Sequence, residues 1–365
     1  MVLRHTLKLA FCLLLLSALP VSRLTAQNLT LEGQTGGFLT PTAYVVDMEK
    51  GQKFSHPAVG FHFIDASAVI GKIETFSITE GFANRAEAGY TRSVHQLGNE
   101  TTGLNLSNLW NYSGMNVFHG KVVAFKDGQF GPWMPGIAVG GLVRTNDKFV
   151  SGAIPPIATA ELTAQLGPVA GPAFATQLFG TTAAKSYTNG DVYVAVTKTW
   201  AKPPVPFLLN VGWKATNATI FGIGGQSTRF GGRFFGGLGI PLPLGHGIVA
   251  VPSAGFTQEP MTAVNLNTLL NLARTLTLAQ APSLAPLFPV MSSHLPTTLD
   301  YAVRVTQREH PHFAFDIGVG QVAGNIGSIY VANPSYPLSS PYPIVATPVN
   351  LQARSVVGIG LSYRY

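Results

Sequence analysis

SVVGIGLSYRY, residues 355–365, closes the chain and decides how the rest of it is read. Val357, Ile359, Leu361, Tyr363 and Tyr365 take every second position, with Gly358, Gly360, Ser362 and Arg364 between them. Successive side chains of a strand point to opposite faces, so one face here is apolar and the other small or polar. Two architectures produce that alternation. One is the last strand of a membrane barrel, with lipid on its outer face and an aromatic girdle at its ends. The other is the last strand of a secreted sandwich.

The opposite end of the chain gives the compartment. Residues 1–26 have the form of a secretory signal: Arg4, His5 and Lys8 lead, LAFCLLLLSALPV is the apolar stretch, and Leu24-Thr25-Ala26 is the cleavage site. The apolar stretch is shorter than the roughly 20 residues a spanning helix needs. Cys12 lies inside it and is the sole cysteine, so an exported chain would use neither disulfides nor thiolate metal sites. No other segment offers an uninterrupted spanning helix, and only helices and closed barrels satisfy the backbone in lipid. A membrane protein of this sequence is therefore a barrel.

Composition agrees without deciding. Charged residues are 11% of the chain, against roughly 25% in soluble domains. Forty glycines and 11 tyrosines suit a crowded lumen and aromatic interfaces. The formal charge is +7; removing Arg4, Lys8 and Arg23 with the signal leaves 7 − 3 = +4. No run of Lys and Arg carries interleaved aromatics, so a nucleic-acid partner is not expected.

After the signal, 27–53 is an irregular lead-in, broken by Gly33, Gly36, Gly37 and Pro41, and it is expected against or inside a lumen. Strands are expected at 54–65, 67–78, 84–94, 113–126, 135–146, 187–200, 205–217, 228–240, 247–257, 297–308, 311–322 and 353–365. The segments 67–78 and 113–126 alternate poorly. From a periplasmic C-terminus, the connections 95–112, 147–186, 218–227, 258–296 and 323–352 fall outside and are long. The connections 79–83, 127–134, 201–204, 241–246 and 309–310 fall inside and are short, as in outer-membrane barrels; only 65–67 breaks the rule. Short helices are expected over 158–166 and 263–280, where Leu266, Leu269, Leu270, Ala273 and Leu276 recur at helical spacing.

Two resemblances follow from these residues. The terminal strand resembles the closing strand of Gram-negative outer-membrane barrels, whose last aromatic is read by the barrel-assembly machinery. Val357, Ile359, Leu361, Tyr363 and Tyr365 are then the closure and assembly strand. The segments GGFLTPTAYV (36–45), WMPGIAVGG (133–141), GDVYVAVTK (190–198), NVGWKATN (210–217) and FDIGVGQVAGNIG (315–327) together resemble a family of predicted Gram-negative outer-membrane proteins without an assigned function. That resemblance implies a barrel and supplies no catalytic residue.

Candidate functional residues line the lumen. Alternation turns Arg144, Lys214, Arg229, Arg233, Arg304 and Arg364 inward, with Glu87, Asp300 and Asp316 as acids. Six cations against three acids favour anions, since charged rings set pore selectivity at close range; the alternative is that pairs such as Arg304 and Asp300 satisfy each other. His310-Pro311-His312 beside Glu309 lacks a fourth ligand, so no metal and no cofactor is expected. Ser93 and His95 share a strand face, but no nucleophile-elbow motif accompanies them. GIGGQSTRFGGRFFGGLG (222–239) lacks the GK[ST] ending of a phosphate loop, and its glycines are read as points of strand curvature.

The expectation is an all-β, antiparallel up-and-down outer-membrane barrel of about 12 strands. Its partners are membrane lipid, the assembly machinery and small solutes, and its function a narrow or gated passive channel. A structural or anchoring barrel closed by its loops is the alternative, and an outer-membrane hydrolase the third.

Overall fold

The computed structural model describes residues 28–49, 51–66, 71–96, 114–147, 159–160, 163–164, 167–173, 187–201, 206–218, 226–260, 271, 274, 278, 282–292, 297–307, 312–323, 325–332, 344–350 and 355–364. The signal segment, Tyr365, His310 and most of 263–280 lie outside them. So do the side chains of Gln96, Asn146 and Arg364.

Fifteen strands form among the described residues. β1 is Ala58–Ala66, β2 Gly71–Phe82, β3 Ala86–Gln96, β4 Gly114–Phe125, β5 Gly136–Asp147, β6 Tyr187–Trp200 and β7 Phe207–Ala218. β8 is Gln226–Gly239, β9 Leu242–Gly245, β10 Ile248–Gln258, β11 Thr297–Gln307 and β12 Phe313–Ala323. β13 is Asn325–Ala332, β14 Ile344–Asn350 and β15 Val356–Arg364. Each wall strand pairs antiparallel with its neighbours from β1 round to β8, then β10, β11, β12 and β15, and β15 returns to β1. The result is a closed barrel of 12 strands with no free edge. β15 closes it, with Val59 opposite Tyr363 and Phe63 opposite Ile359 on one side, and Phe315 opposite Leu361 on the other.

Four strands depart from the sequence reading. β2 runs four residues later than 67–78; in its true frame it alternates well, with Ile73, Thr75, Ser77 and Thr79 buried and Phe76 and Ile78 exposed. The poor alternation came from a window that took in the connection 67–70. β13 and β14 pair as a hairpin of their own within the last long connection, where prolines between 334 and 343 hide the strand signal. β9 is a short strand folded onto β10 at the opposite end. Helical residues at 159–160, 163–164 and 167–173 extend past the expected 158–166, and Pro282–Leu287 is a 3₁₀ turn.

The burial pattern shows which face meets lipid. Val59, Phe76, Phe118, Val139, Val194, Trp213, Phe234, Tyr301, Ile317 and Leu361 are exposed large hydrophobics spread round the wall. Their sequence neighbours on the other face are buried or half-buried. Water gives no reason for a continuous apolar outer belt, whereas hydrocarbon does. Among the described residues no helix is long and apolar enough to cross a membrane; the crossing is made by strands. Val194, between Val139 and Trp213 at mid-strand, tests the belt. Val194→Arg is expected to cost about 2–4 kcal/mol in denaturant unfolding from lipid vesicles, and a cost near zero would mean that no hydrocarbon lies there.

Candidate functional site

The lumen is filled by the chain's own first described segment. Residues 28–48 form a compact knot: the Leu31 amide donates to the Phe38 carbonyl (3.0 Å), the Thr30 amide to the Gln34 carbonyl (2.7 Å), and the Thr42 amide to the Thr35 carbonyl (3.1 Å). Gly33 has φ +86, which a side chain would strain, and it makes the first turn. Leu29, Leu31, Phe38, Leu39, Ala43, Val45, Val46 and Met48 are all buried. Phe38 lies where side chains at Gly318 and Gly358 would stand, so the lumen-facing glycines of β12 and β15 make room for its ring.

Polar side chains of the wall hold this plug by its backbone. Thr79 Oγ1 donates to the Gly33 carbonyl (2.6 Å), Thr91 Oγ1 to the Glu32 carbonyl (2.9 Å), and Asn210 Nδ2 to the Pro41 carbonyl (2.9 Å). The Ala43 amide donates to Thr197 Oγ1 (2.7 Å). Glu87 is a hub: it accepts from the Thr35 amide (2.9 Å), the Thr35 hydroxyl and the Val46 amide (3.2 Å), while Lys121 pairs with it at 3.0 Å. Lys121 also donates to the Thr35 carbonyl (2.9 Å). A buried irregular segment must satisfy its backbone somewhere, and here the barrel interior supplies the partners.

Arg144 is the strongest tether. Its guanidinium grips both Glu32 oxygens, with Nη2 donating to Oε2 at 2.8 Å, and reaches Asp191 Oδ2 at 2.9 Å. Asn189 Oδ1 accepts from Nη1 at 3.3 Å. Arg304 pairs with Asp316 (2.8 Å) rather than with Asp300, and donates to the Gly36 carbonyl (3.4 Å). Lys214 is buried beside Asp191, Tyr193 and Phe235, around a void of about 20 Å³. Arg233 donates from Nε to the Glu259 carbonyl (2.7 Å), while Arg229 is exposed beyond the register shift between Thr216 and Ala218. Among the described residues Arg144 and Arg304 face carboxylates, while Arg229 is exposed.

Sequence reasoning missed Glu32, Lys121 and Asp191. Asp191 shares its face with Tyr193 and Ala195, so its parity was readable. Lys121 follows Met115, Val117 and His119 on the buried face of β4, but apolar residues on both faces obscured it. Nothing local marks the Glu32 carboxylate, whose partner Arg144 lies 112 residues away. Ser93 Oγ and His95 Nε2 do meet, at 3.1 Å, yet both are buried. Among the described residues no group of three or more His, Cys, Asp or Glu could hold a metal ion.

One side of the plug is left unfilled. Between Gly36–Thr42 and the wall of β7, β8, β10 and β11 lies a cavity of about 70 Å³. A water needs only about 10–15 Å³, so there is room for a small head group. The wall is thin here because Gly237, Gly239, Ser253 and Gly255 face inward. By contrast, Gly232 and Gly236 face outward and lie under the rings of Trp213 and Phe256, as aromatic cover of strand glycines does elsewhere. Asp300 and Arg304 close the cavity on the β11 side.

No family model and no curated protein matches the chain, so the resemblance to a family without assigned function stands only at the level of class, an outer-membrane β-barrel. Solved structures similar to it include porins and an autotransporter translocator domain. The NanC porin is 10% identical over 85% of this chain and 100% of that one, with a TM-score of 0.38. The translocator domain of the autotransporter NalP from Neisseria meningitidis is 9% identical over 87% and 90%, at 0.31. OprB from Pseudomonas putida is 9% identical over 80% and 59%, at 0.29. These similarities extend to the barrel class and carry nothing about solute.

Proposed function

We propose that this barrel is a narrow outer-membrane channel for small solutes, restricted by its own segment 28–48. The supporting observation is the lopsided lumen. Large inward side chains such as Tyr193, Lys214 and Phe235 pack the β6–β8 side towards the loops, whereas glycines leave a gap beside Gly36–Thr42. A barrel serving only as a wall anchor has no use for that gap. The plug's charged tethers, Arg144 with Glu32 and Lys121 with Glu87, also neutralise cations that would otherwise draw anions.

A structural barrel is the second reading. It is favoured by the dry cluster of Leu31, Phe38, Leu39, Ile64, Ile73, Met115, Val117 and Leu142, which packs plug to wall as a soluble core would. Planar-bilayer recording of the refolded full chain separates the two. A channel restricted in this way is expected to show small, discrete, ohmic steps. Bilayers that stay silent while the protein migrates as folded, heat-modifiable barrel would favour the anchor.

A further inference from the structure

We propose that the cavity beside Asp300 is a subsite for the ammonium group of a small alkylammonium solute; its place on a solute path rests on the channel reading, its binding chemistry does not. Asp300 is only 3% exposed, and its Oδ1 has no hydrogen-bond partner among the described residues. Every other lumen carboxylate just described has a cation beside it: Glu32 and Asp191 have Arg144, Glu87 has Lys121, and Asp316 has Arg304. Arg304, four residues along the same face of β11, is directed to Asp316 and the Gly36 carbonyl and makes no ion pair with Asp300.

The surroundings of Asp300 favour a cation with a short apolar tail. Its carboxyl sits over Gly255, where no side chain competes for it, and Phe38, Leu208 and Val251 supply apolar surface around the same space. An unpaired buried charge is costly, and an ammonium both donates charge-assisted hydrogen bonds to the carboxylate and supplies the opposite charge. An ammonium therefore meets a need the fold leaves open. A carboxylate of the same size meets repulsion from Asp300, and an alcohol offers one hydrogen bond from an uncharged donor that leaves the charge of Asp300 unbalanced.

The test uses the full chain refolded in detergent micelles, with n-propylammonium chloride as probe and n-propanol and sodium propionate as size-matched comparisons, read by saturation-transfer NMR. Propylammonium is expected to bind saturably and both comparisons about tenfold or more weakly. Asp300→Asn should weaken propylammonium by a similar factor, and Arg229→Ala should leave it unchanged. Ser253→Leu, which fills the cavity from β10 without altering Asp300, should abolish binding and keeps the test decisive if the Asn variant fails to fold. Equal binding by propanol, or undiminished binding after both substitutions, overturns the subsite. Specific propylammonium binding with silent bilayers would sink the channel and leave the site. Conductance without propylammonium binding would sink the site and leave the channel.

Discussion

Deleting residues 28–48 is expected to raise single-channel conductance about tenfold or more, since a barrel of 12 strands emptied of its plug lies between small filled barrels and open porins. The wall should survive the deletion. Each of its strands is paired on both sides with another wall strand, and no ladder bond runs through the plug. What is lost is the cluster around Leu31, Phe38 and Leu39 and the backbone tethers from Thr79, Thr91, Thr197 and Asn210. The remaining opening would be bounded by Arg144, Tyr193, Lys214 and Phe235, so the emptied barrel should still be narrower than an open porin. Conductance would be recorded from deletion and full-length proteins refolded side by side, with heat-modifiable migration confirming that both are folded. Equal conductance would mean that segment 28–48 does not set the passage.

The wall was readable because lipid and lumen impose opposite chemistry on alternate residues, and a pattern of that kind survives without knowledge of any partner. β6 spans the residues expected of it because GDVYVAVTK alternates over its whole length between Val192, Val194 and Val196 outward and Asp191, Tyr193 and Ala195 inward. The same logic failed at β2, where the expected window began at 67 and the strand begins at Gly71. It failed again at β13 and β14, which pair only with each other, outside the closed wall's sheet. The plug shows where local reading ends. Its glycines and Pro41 announce irregular backbone, and Glu87 announces an inward acid. Nothing within a few residues of either reveals that Glu87 receives the Thr35 and Val46 amides. Parity gives a charged residue its face but not its partner, which is why a count of inward arginines did not reveal that Arg144 and Arg304 face carboxylates.

The second large effect is expected at Arg144. Arg144→Met removes the guanidinium that bridges Glu32 and Asp191, leaving two buried carboxylates facing each other with Lys214 as the cation nearby. Breaking a buried pair from one side typically costs about 3–5 kcal/mol, and the repulsion acts directly between plug and wall, because Glu32 belongs to one and Asp191 to the other. The urea midpoint of the refolded protein should therefore fall, and in bilayers the plug should yield more often, giving longer open events than the parent chain. Acid should reverse both changes. Protonating either carboxylate removes the repulsion, so the deficit of Arg144→Met should be full at neutral pH and shrink as pH falls through the carboxylate range. The triple change Arg144→Met, Glu32→Gln, Asp191→Asn should recover most of the loss, since it removes the charges together with their partner. A lowered midpoint in the triple variant equal to that of Arg144→Met would show that packing, and not charge, is what Arg144 supplies; an unchanged midpoint in Arg144→Met would detach the plug from Arg144 altogether.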